Sequence, residues 1–594
     1  SQIQSYLFAL AVFFLAAYFF LRMLTNLGSG LWKSYLGHAL LQLALPMGVF
    51  LLWMSANDPN PDRCATPYGF LTYIAFWHTV FFSPEFWSGE WTKQFIPAGT
   101  WVTGEGWAYI GLAATAFLLK ETLWRVYRLF VPAKPASQNQ PSPPSKQAKD
   151  RRFLAYIFGA SVLLLILSMG IPFIFQPFEF LVDYVGPIRQ FRSLGRFAWA
   201  FYYAANIVTF YLLYHQVKYI QKAPLKWGLL AAFTGMLLLE AGFFTKRRMV
   251  ELYPRPELRE GLRLADNAWL DRIDVDRYQA ILPLPYYHIG SENIWMEPFG
   301  KSLQHTFWPS VYTGLPNMGV FLARSSLSQT INQLAFVGEP YRYPKLLDDL
   351  PSDKPLLVVI DKIAFEGQWY RFDHLLYGLK SMYENQWVKI YELPPTLIAE
   401  RVAQRSIRWQ AAFDTATTYP LAGLLSIDSL ANFAYQSYDQ NPSTKIYRGK
   451  GAWQGPGENK NVLFEGFVPD LQAKQRYVYS AWHYIREDLH LKSLIEIREF
   501  DPTTNEEVQY RQLRMANYIR SIDGDWALVD IPFRPKQSNS KLKFIIENND
   551  LKENLIFVDE FQIRPQEAVL FKRTAEEFAR NNRWFPYQDR AKAN

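Results

Sequence analysis

Three arginines, Arg189, Arg192 and Arg196, fall at i, i+3 and i+7 in the stretch PFEFLVDYVGPIRQFRSLGRFAW. On a helix that spacing gathers them on one face, and guanidinium groups bind phosphate in bidentate fashion while staying charged when partly desolvated. The stretch joins two apolar runs. The cluster is therefore either an anion site at a lipid surface or a set of side chains that reach lipid headgroups or pair with Asp183 and Glu179. Two carboxylates stand near the same runs. Glu105, in GEGW with glycines that permit close approach, is the in-chain candidate for a catalytic general base, with pairing to an arginine of the cluster as its structural alternative. Glu240 lies inside an apolar run, where an ionisable group needs a partner or water; Arg196 is the expected partner.

The elements that must position these groups are six apolar stretches, residues 4–24, 37–55, 106–124, 153–175, 197–214 and 227–244. Each is close to the roughly 20 residues a spanning helix needs. The connection after the third carries Lys120, Arg125, Arg128, Lys134, Lys146, Lys149, Arg151 and Arg152, and the one after the fifth carries Lys218, Lys222 and Lys226. The positive-inside rule places both in the cytoplasm, so the arginine stretch and everything after Thr245 are expected outside. The same alternation puts Ser1 outside without any signal-peptide pattern, which predicts either the C-terminal part of a longer membrane protein or the product of cleavage in an outer loop. Residues 68–82, interrupted by His78 and bordered by Trp77, Trp87, Trp91 and Trp101, read as an interfacial or re-entrant helix. On such an apolar helix His78 reads as a satisfied or interfacial histidine rather than a ligand or base.

Composition bounds the partners. The net charge of +8 resides largely in the cytoplasmic connections, where it sets topology and meets anionic lipid, so nucleic acid is not expected. A single cysteine, Cys64, excludes an internal disulfide and any cysteine-based zinc site, and fits a bacterial envelope better than a secretory lumen. Residues 133–149 form a Pro/Ser/Gln/Lys linker. From 253 to 393 the pattern is α/β, with strands at 280–288, 355–361 and 387–393 and a helix at 325–336. From 449 to 564 short alternating segments such as VLFEGFV, RYVYSAWHY and WALVDIPF predict an antiparallel sandwich. The expected fold is thus an α-helical polytopic membrane bundle (1–245), an extracytoplasmic α/β domain (246–400), a connecting segment (401–448), a jelly-roll-like β-sandwich (449–566) and a tail (567–594).

Other motifs carry less. The Asp274–Val275–Asp276 triplet reads as a solvated turn ahead of a strand, and a divalent metal there has no support. There is no Walker loop, no Gly-x-Gly-x-x-Gly after a strand, no Gly-x-Ser-x-Gly and no His-Glu-x-x-His. No cofactor is firmly implied. In the sandwich, Trp453, Tyr477, Tyr479, Trp482, His483, Tyr484 and Trp526 offer aromatic faces. Trp453, Tyr477, Tyr479, Trp482 and Trp526 are candidate glycan platforms, and strand alternation sends one set of the rings to the core.

FRSLGRFAWAFYY, GEGWAYIGLA and LLLEAGFF resemble the YfhO-type bacterial membrane proteins, a branch of the GT-C superfamily of glycosyltransferases, over roughly residues 35–250. The resemblance implies a polyprenyl-phosphate-linked sugar as donor substrate, transfer at the outer surface of the cytoplasmic membrane, and Arg189, Arg192 or Arg196 on the donor phosphate. It also implies a carboxylate in a first outer loop, which this chain does not contain. The expectation is a glycosyltransferase-like protein of cell-envelope glycan assembly in the bacterial inner membrane, with its C-terminal region periplasmic and a glycan acceptor or envelope protein as further partner. The alternative is a non-catalytic membrane-anchored scaffold that binds glycan or protein.

Overall fold

Among the described residues five helices are long and apolar enough to cross a membrane: Tyr6–Leu24, Trp32–Asn57, Ala148–Ser168, Leu194–Lys218 and Ala223–Val250. The computed structural model describes residues 5–58, 62–63, 70–83, 94, 106–130, 145–178, 180–184, 191–252, 269–271, 273–291, 293–322, 325–421, 423–427, 432–456, 459–486, 493–548, 555–574 and 576–587. It divides into two units: Ser1–Pro59 with Ala65–Arg255, and Asn60–Cys64 with Pro256–Asn594.

In the first unit α1 (Ser5–Leu24), α2 (Trp32–Asn57), α3 (Trp77–Phe81), α4 (Leu112–Phe130), α5 (Ser145–Ser168), α6 (Ala198–Lys218) and α7 (Ala223–Leu252) follow in order. α2 takes a π-turn at Leu40–Ala44 just before Pro46, whose missing N–H cannot join the ordinary ladder. None of the apolar window of α2 is buried, against 44% of the window that contains α6, so α6 is the central helix and α2 a peripheral one. α1 and α5 pack together, α5 packs on α6, and α4 packs on α6 and α7.

Two expected spans are redrawn. The third, at 106–124, becomes helical only at Leu112 and runs on to Phe130. Gly111 at φ +97 holds the preceding stretch out of the helix, and Lys120, Glu121, Arg125 and Arg128 leave α4 outside the apolar set. The fourth, at 153–175, ends at Ser168 and starts back at Ser145, so the last residues of the expected linker are helical.

In the second unit the α/β part and the sandwich, expected as separate soluble domains, share one apolar cluster. Its first sheet is mixed, in the order β1-β4-β6-β5, with β1 (Ala280–Leu284) parallel to β4 (Leu356–Asp361) and β5 (Ser381–Glu384) and β6 (Val388–Leu393) antiparallel. Helices α8 (Ser302–Thr313), α9 (Leu327–Gly338), α10 (Trp369–Leu376) and α11 (Pro395–Thr415) accompany it, with the two-residue strands β2 (His288–Ile289) and β3 (Val320–Phe321) between. The sandwich is antiparallel throughout. One face is β10-β18-β12-β16-β15 and the other β11-β17-β13-β14, the strands being β10 (Trp453–Pro456), β11 (Asn459–Phe467), β12 (Tyr477–Tyr484), β13 (Leu494–Phe500), β14 (Glu507–Arg514), β15 (Ile519–Asp523), β16 (Trp526–Phe533), β17 (Lys541–Asn548) and β18 (Leu555–Pro565). α9 packs against β15, and Gly338 lets the Arg520 backbone approach to 3.3 Å of where a Cβ would stand. A single apolar cluster accordingly runs from Ala280 through Val358 and Tyr479 to Ile563.

The expected connecting segment and tail are also folded. β7 (Tyr419–Leu421) and β8 (Leu424–Ser426) join β19 (Leu570–Arg573), β20 (Glu577–Arg580) and β21 (Arg583–Pro586) in a third sheet. That sheet explains why β12 is buried at all eight positions. Tyr477, Tyr479 and Ala481 enter the main core, while Trp482 and Tyr484 join Ala579 and Trp584 in a second cluster on the other face.

Candidate functional site

The arginine stretch does not form the expected helix. Ser193 is extended, Leu194–Phe197 is a short 3-10 turn, and the regular helix starts at Ala198, so Arg192 and Arg196 are not stacked on one helical face. Arg189 lies outside the described residues, as do Glu105 and Glu179. The turn is nonetheless held tightly. The Tyr6 hydroxyl accepts from the Ser193 N–H at 3.1 Å, Ser193 Oγ donates to the Tyr73 carbonyl at 3.2 Å, and the Gly195 N–H donates to the same carbonyl at 2.8 Å. A Cβ on Gly195 would stand 2.5 Å from the Gly106 Cα, so only glycine fits.

Both arginines are half-buried. The Arg196 guanidinium carbon lies 4.2 Å from the centroid of the Tyr6 ring. Arg196 heads a groove otherwise lined by Tyr6, Leu7, Leu10, Phe197 and Trp199, and Leu7, 52% exposed, leaves the groove open. The result is a cation bordering a shallow apolar depression on the first unit.

Glu240 is held otherwise than expected. Its carboxylate accepts from the Leu112 N–H at 3.0 and 3.3 Å and hydrogen-bonds with Tyr109, so the start of α4, rather than Arg196, is its described partner. His78 is buried on α3, its ring stacked 5.5 Å from that of Phe76, in keeping with a satisfied histidine. Asp274 caps a 3-10 turn by accepting from the Asp276 N–H at 3.2 Å. Among the described residues no group of three or more His, Cys, Asp or Glu could hold a metal ion.

Most of the expected glycan platform is core. Tyr477, Tyr479 and Trp482 are 0% exposed, and Trp453 packs half-buried against the main cluster. Those four rings are corrected to structural roles, because the strand that carries three of them is covered on both faces. Trp526 differs. It is largely buried, yet it lines a cleft of about 450 Å³ with Thr444, Lys445, Ile446, Tyr447, Arg448, Tyr484, Asp523, Gly524 and Asp525.

This cleft lies where the β15–β16 hairpin, the end of β12 and the 444–448 loop meet. Arg448 Nη2 donates to Asp523 Oδ2 at 3.2 Å and to Glu577 Oε2 at 2.7 Å, the Tyr447 hydroxyl donates to Asp523 Oδ2 at 2.8 Å, and Arg342 pairs with Asp523 Oδ1. Burial works against the Asp523 charge, but the Arg342 and Tyr447 hydrogen bonds and the nearby Arg448 outweigh it and hold the carboxyl below its usual range. Asp525 is paired to Arg486 at 2.5 Å, and Lys445 Nζ stands 5.2 Å from the centroid of the Tyr484 ring. With Asp523 held charged by its partners and Asp525 paired to Arg486, the cleft presents charged and hydrogen-bonding groups suited to a polar ligand. Lys445, Tyr447 and Arg448 fell in what the sequence suggested was a connecting segment. The turn sequence Asp523–Gly524–Asp525 is the signal that could have found their neighbours.

No protein-family model and no curated protein matches the chain. Among solved structures, it is similar to the enzymatically active domain of bacteriophage CBA120 tailspike protein 4, with 8% identity over 23% of this chain and 18% of that one and a TM-score of 0.16. It is also similar to a family 16 carbohydrate-binding module, with 14% identity over 24% of this chain and 84% of the module and a TM-score of 0.15. A xylan-binding domain from Paenibacillus barcinonensis shares 17% identity over 26% of this chain and 90% of the domain, with a TM-score of 0.14. At these scores the likenesses say nothing of what this chain binds.

Proposed function

We propose that this chain belongs to a multi-pass protein of the bacterial cytoplasmic membrane that handles a polyprenyl-phosphate-linked sugar at the extracytoplasmic face, in a glycosyltransferase-like role in envelope glycan assembly. The observation that carries the reading is the shallow apolar depression that Arg196 borders together with Leu7, Leu10, Phe197 and Trp199. A phosphate on a long isoprenoid suits such a pairing of a cation with apolar surface. The distribution of lysine and arginine among the connections supports the side of the membrane, and the GT-C resemblance supports the donor class. The test uses the full chain in vesicles with a polyprenyl-phosphate sugar. Arg196→Ala and Arg192→Ala should lose both retention of the lipid phosphate and transfer; unchanged retention and turnover in both variants would remove the phosphate site.

The cleft at Trp526 favours a second reading, a membrane-anchored scaffold that binds glycan without catalysis. Ion-paired carboxylates and flanking aromatic edges suit a polyhydroxylated ligand. On a glycan array the full chain should bind, and Trp526→Ala with Lys445→Ala should abolish the signal. A chain that binds nothing on the array leaves this reading without support.

A further inference from the structure

A polar seam runs through the interior of the second unit, between the β10-β18-β12-β16-β15 sheet and the elements that cover its outer face. The register of that sheet lays Asp530 on β16, Ser480 on β12 and Gln562 on β18 in one row, and Arg564 stands two residues on from Gln562, on the same face. Arg520 joins the row from β15, its Nε 3.9 Å from Asp530 Oδ2. The cover is the turn between β20 and β21, Arg580–Asn581–Asn582–Arg583. Asn582 Nδ2 donates to the Ser480 carbonyl at 3.4 Å and to the Glu560 carbonyl, which seats the turn on the row, and Arg583 Nη2 donates to Asp530 Oδ2 at 3.5 Å. At the other end of the turn the Arg580 guanidinium carbon lies 3.5 Å from the centroid of the Trp409 ring on α11.

Four guanidiniums are thus gathered where an unbalanced charge is costly. Arg564 is 5% and Arg520 8% exposed. The buried carboxylates near them are Asp530 and Glu339, and burial pushes the Glu339 carboxyl up, towards its neutral form. Asp373 is paired to Arg405 at 3.7 Å, and Glu567 is exposed. Positive charge therefore prevails in the seam. Burial and the charges of Arg405, Arg583 and Arg520 hold the His374 imidazole well below its usual range, and burial together with Arg583 and Arg580 lowers Arg564 to about 10 against the pull of Asp530.

Hydrogen bonding is incomplete at the same place. The Nε atoms of Arg564, Arg580 and Arg583 are buried and have no acceptor among the described residues, and Asn582 Oδ1, Gln562 Oε1 and Asp530 Oδ1 have no donor there. Water can answer the acceptors. A neutral molecule does not offset the excess of charge.

We infer that the seam is an anion site, in which a tetrahedral oxyanion of the sulfate or phosphate kind sits between the Arg580–Arg583 turn and Arg564 and accepts from their Nε groups. Guanidiniums suit such an ion because they stay charged when desolvated and donate along fixed directions. Arg583, whose side chain is 19% exposed, gives the site an edge to solvent. Every residue of the site belongs to the second unit, so loss of the Arg196 effect leaves it standing.

The experiment uses the full chain in detergent, freed of oxyanions in chloride buffer, and equilibrium dialysis against radiolabelled millimolar sulfate at constant ionic strength. About one sulfate per chain should be held, and inorganic phosphate should displace it. Arg583→Met should weaken binding about tenfold or more, the loss of one charged hydrogen-bond donor. Asp530→Asn, which removes the competing charge and keeps the shape, should tighten it several-fold, and Arg196→Ala should leave it unchanged. No bound sulfate, equal binding by Arg583→Met, binding not tightened in Asp530→Asn, or loss in Arg196→Ala would each overturn the inference. Since Asp530→Asn is expected to gain affinity, a failure of Arg583→Met to fold does not decide the outcome.

Discussion

The carboxylate of Glu240 on α7 accepts from the backbone N–H of Leu112, the first residue of α4, at 3.0 and 3.3 Å. A helix start leaves its first N–H groups unpaired and carries partial positive charge, so a carboxylate there satisfies both. The stretch before Leu112 is similarly answered by side chains and backbone. Asn206 Nδ2 donates to the Ile110 carbonyl at 3.1 Å, and the Ile110 N–H donates to the Val80 carbonyl at 3.0 Å. Non-helical backbone at such a place survives only when every polar group is met. Glu240→Leu should therefore destabilise the first unit by roughly 1–3 kcal/mol, the cost of orphaned buried donors. Glu240→Gln, which keeps an acceptor, should lose less. Thermal melts in detergent compare the two, and equal losses would mean that Glu240 does not act as this cap.

Gly195 has no room for a side chain, because a Cβ would lie 2.5 Å from the Gly106 Cα and 3.0 Å from the Tyr73 carbonyl oxygen. Gly195→Ala should push the 191–197 turn away from α1 and break the Ser193–Tyr6 hydrogen bond. Lipid-phosphate retention should then fall as in Arg196→Ala, although both arginines are intact. Retention equal to that of the unsubstituted chain would show that the turn tolerates the shift.

Much of this was legible beforehand. The strands at 280–284, 356–361 and 388–393 and the helix at 327–338 stand within a few residues of the apolar runs that announced them, because buried β-branched runs and a Ser-capped amphipathic stretch leave little choice. The start of α4 was not legible, since AYIGLA is apolar enough for a helix and only the left-handed φ of Gly111 shows that the backbone is not helical there. Nor was the burial of Trp482. Alternation sends every second residue of β12 outward, and the cover on that side comes from β19, β20 and β21, short strands about a hundred residues on. The hairpin joining β20 to β21 did have a signal, Asn581 and Asn582, both at positive φ. The cleft escaped because its loop and its hairpin are about eighty residues apart.

Asp62 and the end of α7 together constrain the topology. The chain enters the second unit twice, at Asn60–Cys64 after α2 and again from Pro256 after α7, and the proposed extracytoplasmic placement of that unit needs an even number of crossings between the two. Only three of the apolar helices lie between them, Ala148–Ser168, Leu194–Lys218 and Ala223–Val250, and an odd number of crossings would put those entries on opposite sides. The proposed topology therefore predicts a fourth crossing, for which α4, 19 residues and so about 28 Å long, has the length despite its charges. In the Cys64→Ser background, Asn60→Cys and Tyr377→Cys should react with an impermeant maleimide from one face of sealed vesicles, and Ser137→Cys from the other. Labelling of all three from one face would leave α4 as a helix that does not cross.

The last prediction concerns pH and the second unit alone. Burial, with a further push from Glu560, raises the Asp559 carboxyl to about 7 in spite of the Arg448 and Tyr447 N–H groups that donate to it. A carboxyl raised in the folded state holds its proton while the unfolded chain has released it, so its contribution is complete below about pH 4 and is lost as pH climbs towards 7. His288 works in the opposite sense. Burial lowers it to about 4, so the unfolded chain takes up the proton first and stability is lost as pH falls from about 6.5 towards 4. The two slopes oppose each other across the same window and partly cancel in the native chain. Asp559→Asn should remove the first and make stability rise more steeply with pH between 4 and 6.5 than in the native chain, whereas His288→Gln should make it rise less steeply. Denaturant midpoints at several pH values read both slopes, and an unchanged profile in Asp559→Asn would show that this carboxylate titrates as it does in the unfolded chain.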